Sequence, residues 1–429
     1  MSPAADGPAD LVVVGRIATL AGVGDDLGVV EALAIRDGRV VLAGRLPDAD
    51  AAAGPRTGRI LLAPDEIALP GLTDAHVHFA DAAVAATELR LEAAATLDEA
   101  LGWIRTANAG IRDDDGWLLG GGWDAGRWGR WPTAADLESA VPGRRVVLWS
   151  HDLHAVWASE AALTSAGIDH STVDPPGGLI RRTTDGRPAG VLHEDATGLV
   201  TAGVPRPGPD RLGDLIAGHA RHLLSLGIVA VHDMAELEVD AELGRGFAAI
   251  ERLAAAGLLP IRVHAGIRRP ALDRAIARGL RSGDPLGDID RPDRARAQVG
   301  WLKLFADGTL GSRTAALLEP YEAEVGRDEP PGGPLGLLVT EPDELSDAAA
   351  TAAAAGIATT IHAIGDRALR VAVDALEPVA GRTAVRPRIE HLQLADPADL
   401  PRLARAGIAA SIQLIHLADD AAKARLAWG

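Results

Sequence analysis

The sequence predicts an α/β protein of the (β/α)8 TIM-barrel type, and the rhythm of its second half carries that prediction. From about residue 205, predicted helices end in glycine and an apolar strand follows at once, as at Ala256-Gly257-Leu258. Glycine accepts the positive φ angle found just past a helix end. Repeated helix, glycine and buried-strand units are typical of parallel α/β folds, and 429 residues suit one barrel with additions.

The predicted barrel strands are short apolar runs bounded by these joints. They cover residues 71–79, 228–234, 260–267, 300–307, 357–363, 386–392 and 408–415. A closed barrel of this type needs eight strands, and these are seven. We therefore expect a barrel that lacks its last strand, and we interpret the chain as a fragment of a longer protein.

The rest of the chain predicts a small β domain and an insertion. Residues 1–67 contain strand-like runs, with Asp37-Gly38 as a hairpin turn, and predict a β-sandwich portion. Residues 68–429 form the barrel, interrupted at about 80–205 by an insertion that holds seven of the nine tryptophans. These rings either line a substrate wall or form the insertion's own core.

Composition excludes several classes of partner. The chain has 42 basic and 60 acidic residues, a net charge of −18, which works against binding to nucleic acid or an anionic membrane. It has no cysteine, hence no disulfide or thiolate metal site. The absence of a basic leader and of a long apolar run predicts a cytoplasmic protein. We expect a small-molecule substrate, and homo-oligomerisation stays open.

The motif GLTDAHVHFAD, residues 71–81, places a His-x-His pair at the end of a predicted strand. Residues two apart on a strand share one face, so His76 and His78 point the same way. Two imidazoles in this position can converge on a divalent metal ion. The alternative is a hydrogen-bonded surface pair, and residues elsewhere in the chain decide between the two.

Other polar residues interrupt apolar runs in the same way. Lys303 lies in GWLKLFADG, His362 in TTIHAIGD and His391 in RIEHLQ. An unpaired polar group in a buried strand costs a few kcal/mol, and a barrel brings the ends of its strands together. A shared metal centre explains this set better than separate core residues do. Asp152 and His154 follow another apolar run, where they either line a pocket or cap the next helix.

These motifs together resemble the amidohydrolase superfamily of metal-dependent hydrolases, in particular the branch that includes N-substituted formamide deformylase. The resemblance is carried by ALPGLTDAHVHF, KLFADGTLGSRTAAL, IHAIGDRA and RIEHLQ, and extends from about residue 10 to the last residues. It implies a (β/α)8 barrel with a small β-sandwich. It also implies hydrolysis of an amide-type C–N bond, other than a peptide bond, by metal-activated water.

The resemblance also implies a role for individual residues. His76 and His78 would hold one metal ion, His362 and His391 a second, and Lys303, carboxylated on its amine, would bridge them. This ligand set suits one or two zinc ions. Lys303 and His391 are thereby the predicted catalytic residues. Five residues are expected near the substrate, namely Trp123, Asp152, His154, Asp307 and Arg313.

The chain departs from the superfamily pattern at its last strand. The pattern expects an aspartate at the end of strand eight, as general acid and base. Asp419 and Asp420 are the only late carboxylates, and they fall on a predicted helix that begins after His416. A catalytically inactive metal-binding fragment is therefore the alternative function. A non-enzymatic barrel is a third, but it leaves the buried polar residues without a purpose.

Overall fold

A computed structural model describes most of the chain. The described ranges are 7–23, 26–111, 116–151, 153, 155–175, 178–194, 196–236, 242–287, 295–311, 313–322 and 333–429. The chain divides into two compact units, residues 1–73 and 74–429.

The strands are numbered β1 to β19 along the chain. They are β1 (Ala9–Ala18), β2 (Val29–Arg36), β3 (Arg39–Gly44), β4 (Ala53–Leu61), β5 (Ile67–Ala68), β6 (Leu72–Val77), β7 (Leu89–Arg90), β8 (Trp117–Trp123), β9 (Arg145–Ser150), β10 (Ala155–Ala158), β11 (Gly178–Arg182), β12 (Pro188–Glu194), β13 (Ile228–Asp233), β14 (Arg262–Arg268), β15 (Pro285–Leu286), β16 (Ala297–Phe305), β17 (Thr359–Ala363), β18 (Arg388–His391) and β19 (Ala409–Ser411).

The α-helices are numbered in the same way. They are α1 (Leu46–Ala51), α2 (Phe79–Ala85), α3 (Leu97–Gly110), α4 (Ala125–Trp128), α5 (Ala134–Ala140), α6 (Glu160–Ser165), α7 (Thr197–Thr201), α8 (Pro209–Ser225), α9 (Arg245–Ala255), α10 (Leu272–Ala277), α11 (Pro342–Ala354), α12 (Asp366–Leu376), α13 (Leu400–Ala406) and α14 (Ile415–Trp428). None of the helices in the described ranges has both the length and the apolar character needed to cross a bilayer.

The first unit contains a five-stranded sheet of order β3-β2-β1-β4, with β5 also paired to β1. The predicted hairpin joins β2 to β3. Asp37 and Gly38 have φ angles of 50° and 72°, and positive φ at both central residues is the mark of a type I′ hairpin turn. Ala49 of α1 packs in one apolar cluster with Val12, Ala32 and Ala34 of the sheet.

The second unit contains the barrel sheet, of order β6-β13-β14-β16-β17-β18-β19. Every strand from β13 to β19 on this path pairs in parallel with its neighbour, and the short β15 joins β16 antiparallel. The seven strands are the seven that the sequence predicts, so the barrel-type α/β fold is confirmed. Within the described residues, β6 and β19 are the two ends of this nearly closed sheet.

Small side chains let the barrel helices pack closely. Alanines of α11, including Ala349 and Ala352, and alanines of α12, including Ala368 and Ala372, are fully buried in one core cluster. Outward-facing strand residues such as Leu302 belong to the same cluster. This core fixes the strands and thereby the positions of the side chains at their carboxyl ends.

The insertion forms a sheet of its own. Its six strands have the order β11-β12-β10-β9-β8-β7, with β7, β8 and β9 parallel and the rest antiparallel. Apolar side chains of α3 and α5 pack on this sheet together with Trp123 and Trp157. The segment after the His pair therefore interrupts the barrel alternation, as the sequence predicts.

Gly365, which precedes α12, provides a test of the close packing at the end of β17. A Cβ atom added there would lie 2.0 Å from the carbonyl oxygen of Ala316. We expect Gly365→Ala to lower the free energy of unfolding by about 1 to 3 kcal/mol, because backbone must move to relieve the clash. Urea unfolding measures the change.

Gly213→Ala in α8 is the matched control. Apart from the adjoining backbone of its own helix, no described atom lies within 4 Å of a Cβ atom added at Gly213, so this variant should gain about 0.5 to 1 kcal/mol from helix propensity. A Gly365→Ala protein as stable as the wild type would show that the segment after β17 is not held as tightly as described.

Candidate metal centre

Five nitrogen-bearing side chains lie together at the carboxyl ends of four barrel strands. His76 is the next-to-last residue of β6 and His78 follows the strand, while Lys303, His362 and His391 come from β16, β17 and β18. The ring centroid of His391 lies 4.8 Å from that of His76 and 4.5 Å from that of His362. The centroids of His76 and His78 are 6.0 Å apart. The structure therefore brings the four imidazoles together, and Lys303 lies near enough for its charge to lower the pKa of all four. These are the five residues that the sequence singles out as ligands.

His391 reaches this cluster through an unusual backbone conformation. Adjacent residues on a strand point to opposite faces, so His391 would face away from the side on which Glu390 lies. The φ angle of His391 is 76° and that of Leu392 is 46°, which ends the strand and turns the His391 ring to the side of His76. Positive φ is costly for residues other than glycine and is concentrated at functional sites.

Three of the imidazoles are each anchored through one ring nitrogen. Nδ1 of His76 lies 2.8 Å from a carboxylate oxygen of Glu390, and Nδ1 of His78 contacts the carbonyl oxygen of Ala235. Nε2 of His362 lies 2.9 Å from the carbonyl oxygen of Gly308. Carbonyl and carboxylate oxygens only accept, so each anchored nitrogen carries the proton. The other nitrogen of each ring keeps its lone pair, as a metal ligand must.

The charge state of the cluster also suits ligation. Burial lowers the pKa of His78 to about 4 and of His362 to about 3, and it lowers the pKa values of His76 and His391 as well. The imidazoles are therefore neutral at neutral pH, which metal binding requires. Burial likewise lowers the pKa of Lys303 to about 7.

Lys303 is the most unusual member of the cluster. It is one of only two lysines in the chain, and its side chain is buried. Its Nζ has no hydrogen-bond partner among the described residues, and it lies 4.8 Å from the ring centroid of Phe305. A buried amine without a partner is costly, which indicates that Lys303 is retained for chemistry.

The residues present fit a divalent metal ion by their chemistry. Neutral imidazole lone pairs and an unpartnered buried amine converge in one place, which core packing alone does not explain. Among the described residues, however, no group of three or more His, Asp or Glu side chains is placed so that it could by itself hold a metal ion. The remaining nitrogen-bearing side chain of the cluster is Lys303, whose lowered pKa makes the uncharged amine accessible near neutral pH.

Two further members of the site, Arg388 and Glu390, were missed by the sequence analysis. Both side chains are buried, and they lie on β18 beside His391. Burial alone would raise the pKa of Glu390, but the hydrogen bond from His76 and the charge of Arg388 bring it down to about 2. Both are polar residues inside a predicted apolar strand, the signal that identified His391 and could have identified them.

The predicted substrate residue Trp123 lies in the core of the insertion. Its side chain is buried, and its Nε1 donates to the carbonyl oxygen of Leu148 at 2.7 Å. Its ring lies 6.5 Å from that of Trp128 and 6.1 Å from that of Trp131. These contacts favour the packing interpretation of the tryptophan cluster, and a substrate role for Trp123 stays a prediction.

Asp307 and Arg313 make contacts within the protein. The buried carboxylate of Asp307 accepts hydrogen bonds from the backbone N–H groups of Ala316, Ile364 and Gly365, at 2.9 to 3.0 Å. Burial raises its pKa to about 7, against the effect of these donors. Arg313 places its guanidinium 5.2 Å from the Tyr321 ring centroid. Asp307 therefore ties together the segments that follow β16 and β17.

Asp152 and His154 lie outside the described residues. The alternative predicted for them was to cap the next helix. That helix, α6, is capped by Ser159, whose Oγ accepts from the N–H of Ala162.

The late carboxylates lie in the second turn of α14. The side chain of Asp419 is also outside the described residues, while Asp420 lies 3.1 Å from Nδ1 of His416. The His416 ring centroid is 5.4 Å from that of His391. His416 is therefore a neighbour of the candidate metal centre that the sequence analysis did not identify.

Comparison with known proteins assigns the family. The model of the amidohydrolase family matches residues 63–429. The chain belongs to the amidohydrolase family. It is 30% identical to the protein LONG AFTER FAR-RED 3 of Arabidopsis thaliana over 430 residues, covering 98% of this chain and 70% of that protein.

One further relative and one solved structure are also similar to this amidohydrolase chain. N-substituted formamide deformylase of Arthrobacter pascens is 27% identical over 392 residues, covering 88% of this chain and 68% of that protein. An uncharacterised metal-dependent hydrolase of Pyrococcus horikoshii shares the fold, with a TM-score of 0.73 at 23% identity over 96% of this chain and 76% of that one. The chain thus spans about two thirds to three quarters of the length of these proteins. Its family is one of metal-dependent hydrolases and implies a divalent metal ion.

Proposed function

We propose that this chain carries the active site of a zinc-dependent hydrolase that cleaves an amide-type C–N bond other than a peptide bond. The observation that carries the proposal is the convergence of His76, His78, Lys303, His362 and His391, with three of the rings each anchored through one nitrogen. The likeness to N-substituted formamide deformylase supports an amide substrate.

In this proposal the five residues are the ligands of two metal ions. His76 and His78 would hold one ion, His362 and His391 would hold a second, and Lys303, as a carbamate, would be a ligand of both. The carbamate forms when the uncharged Nζ bonds to the carbon of carbon dioxide and releases a proton. It supplies the oxygen donors that the imidazoles lack. Imidazole nitrogens and carboxylate-type oxygens are a ligand set that suits zinc.

The protein's own contribution is to hold these donors in place. When bound, the ions would polarise the scissile carbonyl and lower the pKa of water to about 7. The anchored rings need no reorientation, because Glu390, Ala235 and Gly308 already fix their protonated nitrogens. The Phe305 ring lies 5.2 Å from that of His362 and 4.8 Å from Nζ of Lys303, so an apolar face shields these donors from bulk water.

The alternative, metal binding without catalysis, rests on the carboxylates of the site. Within the described residues, Glu390 is engaged by His76 and Arg388, and Asp307 by three backbone amides. Both carboxylates are thus already engaged within the protein. A general acid and base from another source would then be needed for turnover.

Hydrolysis assays with purified protein separate the two functions. N-alkyl and N-aryl formamides serve as substrates, and a dipeptide of similar size serves as the control. We expect formamide cleavage that a chelator abolishes and added zinc restores, with no cleavage of the dipeptide. Full activity in metal-free protein would rule out the hydrolase proposed here. Zinc-loaded protein without activity on any amide would replace it with the binding-only alternative.

A further inference from the structure

A buried ion pair lies directly beside the candidate metal centre. Arg388 and Glu390 share one face of β18, and Nη2 of Arg388 lies 2.7 Å from Oε1 of Glu390. The side chain of Glu390 is fully buried and that of Arg388 is 6% exposed. Breaking such a pair is costly, whereas keeping it adds little to stability. Its presence therefore calls for a role besides stability.

Both oxygens of the Glu390 carboxylate are engaged. Oε1 accepts from Oγ1 of Thr360 at 2.6 Å as well as from Arg388. Oε2 lies 2.8 Å from Nδ1 of His76 and 3.3 Å from Nε2 of Gln413. With two donors on Oε1, the carboxylate cannot turn without losing hydrogen bonds. Its orientation toward His76 is therefore fixed.

Arg388 holds this arrangement across the two ends of the barrel sheet. Its Nη2 donates to the carbonyl oxygen of Ala75 on β6 at 2.7 Å and to Oγ of Ser411 on β19 at 2.9 Å. Its Nη1 lies 2.8 Å from Nδ1 of His232 on β13, and its guanidinium lies 4.5 Å from the ring centroid of Trp301 on β16. One side chain thus connects five strands below the metal centre.

The contact with Glu390 determines the tautomer of His76. An ionised carboxylate is an acceptor only, so Nδ1 of His76 must carry the ring proton. Nε2 then keeps its lone pair and is the nitrogen available to a metal ion. The opposite tautomer would place a proton on Nε2 and block ligation there.

We propose that Glu390 is the positioning residue of this site, holding His76 as the Nδ1–H tautomer with Nε2 presented to a metal ion, and that Arg388 fixes Glu390 in that task. The inference deepens the proposed hydrolase function and rests on it for the identity of the metal. It makes a statement about the metal-free protein that can be tested without any assay of activity.

The first test is the tautomer of His76 in metal-free wild-type protein. Long-range ¹H–¹⁵N spectra of protein labelled at histidine distinguish Nδ1–H from Nε2–H imidazoles. The signal of His76 is identified by its loss in His76→Asn. We expect the Nδ1–H form, and an Nε2–H form would overturn the proposal. This result does not depend on whether any variant of Glu390 folds.

The second test is Glu390→Gln. Arg388 and Thr360 are both donors, so the glutamine will turn its carbonyl oxygen to them and its NH₂ group to His76. The imidazole must then accept at Nδ1 and carry its proton on Nε2. We expect the His76 signal to change to that tautomer and zinc affinity, measured by competition with a chelating dye, to fall about 10- to 100-fold. Zinc affinity within twofold of the wild type would contradict the proposal.

Asp399→Asn is the matched control. The side chain of Asp399 is also buried, 3% exposed, and accepts from Nε of Arg370 and Nη1 of Arg402 at the start of α13. Like Glu390→Gln, this variant replaces a buried carboxylate by an amide, but it does so away from the metal centre. It should therefore keep wild-type zinc affinity. Wild-type protein that binds no zinc would overturn the proposed function, while the His76 tautomer in the same sample still decides the role of Glu390.

Discussion

Lys303→Met is expected to lower amide hydrolysis by at least about 10³-fold without reducing the stability of the protein. In the proposed hydrolase the metal centre would contribute several kcal/mol to stabilising the transition state, and about 4 kcal/mol corresponds to 10³ in rate. The free energy of unfolding should stay level or rise, because Nζ has no hydrogen-bond partner among the described residues. Methionine fills a similar volume without burying an amine.

Lys423→Met is the control for this prediction, since Lys423 is the other lysine of the chain and its side chain is 57% exposed. It should leave the rate within about twofold of the wild type, as surface substitutions usually do. Incubation with ¹³C-bicarbonate adds a spectroscopic measurement. We expect a carbamate resonance in wild type and Lys423→Met and none in Lys303→Met. A Lys303→Met enzyme with the wild-type rate would show that Lys303 is not part of the metal centre.

Asp307→Ala is expected to destabilise the fold by about 3 kcal/mol or more. The substitution leaves the N–H groups of Ala316, Ile364 and Gly365 without their acceptor, and each unsatisfied buried donor costs about 1 to 3 kcal/mol. Asp307→Asn keeps one acceptor oxygen, so its free energy of unfolding should lie between those of the wild type and Asp307→Ala. Urea unfolding, followed by tryptophan fluorescence, measures the series.

The control for Asp307 is Asp185→Ala, whose side chain is 55% exposed in the β11-β12 connection. Its effect should stay within about 0.5 kcal/mol. If Asp307→Ala unfolds at the same urea concentration as Asp185→Ala, the buried carboxylate does not anchor the segments after β16 and β17. A direct substrate role for Asp307 would then regain weight.

The barrel strands could be predicted because their signal is local. An apolar run of strand length after a helix and a glycine is visible in the sequence around Gly257 and Gly356, and the strands after both are present as β14 and β17. The ligand candidates could be found for the same reason. His362 and Lys303 stand out because they interrupt runs that are otherwise apolar.

What could not be predicted depends on contacts between distant residues. His76 and Glu390 are 314 residues apart in sequence, so the sequence gives no sign of which polar residue of β18 meets which ring. The positive φ of His391 is a tertiary effect, because this conformation is uncommon for any residue other than glycine. Composition likewise cannot distinguish a tryptophan that packs from one that lines a pocket, and Trp123 packs.

The most direct test of the proposed metal centre is the zinc content of the protein under chelator-buffered conditions, measured by elemental analysis. A two-metal centre predicts about two zinc ions per wild-type chain. It predicts about one fewer ion when His76 and His78 are both replaced by alanine, and the same loss when His362 and His391 are replaced. Equal zinc content in the wild type and both double variants would contradict the claim that these side chains hold the metal.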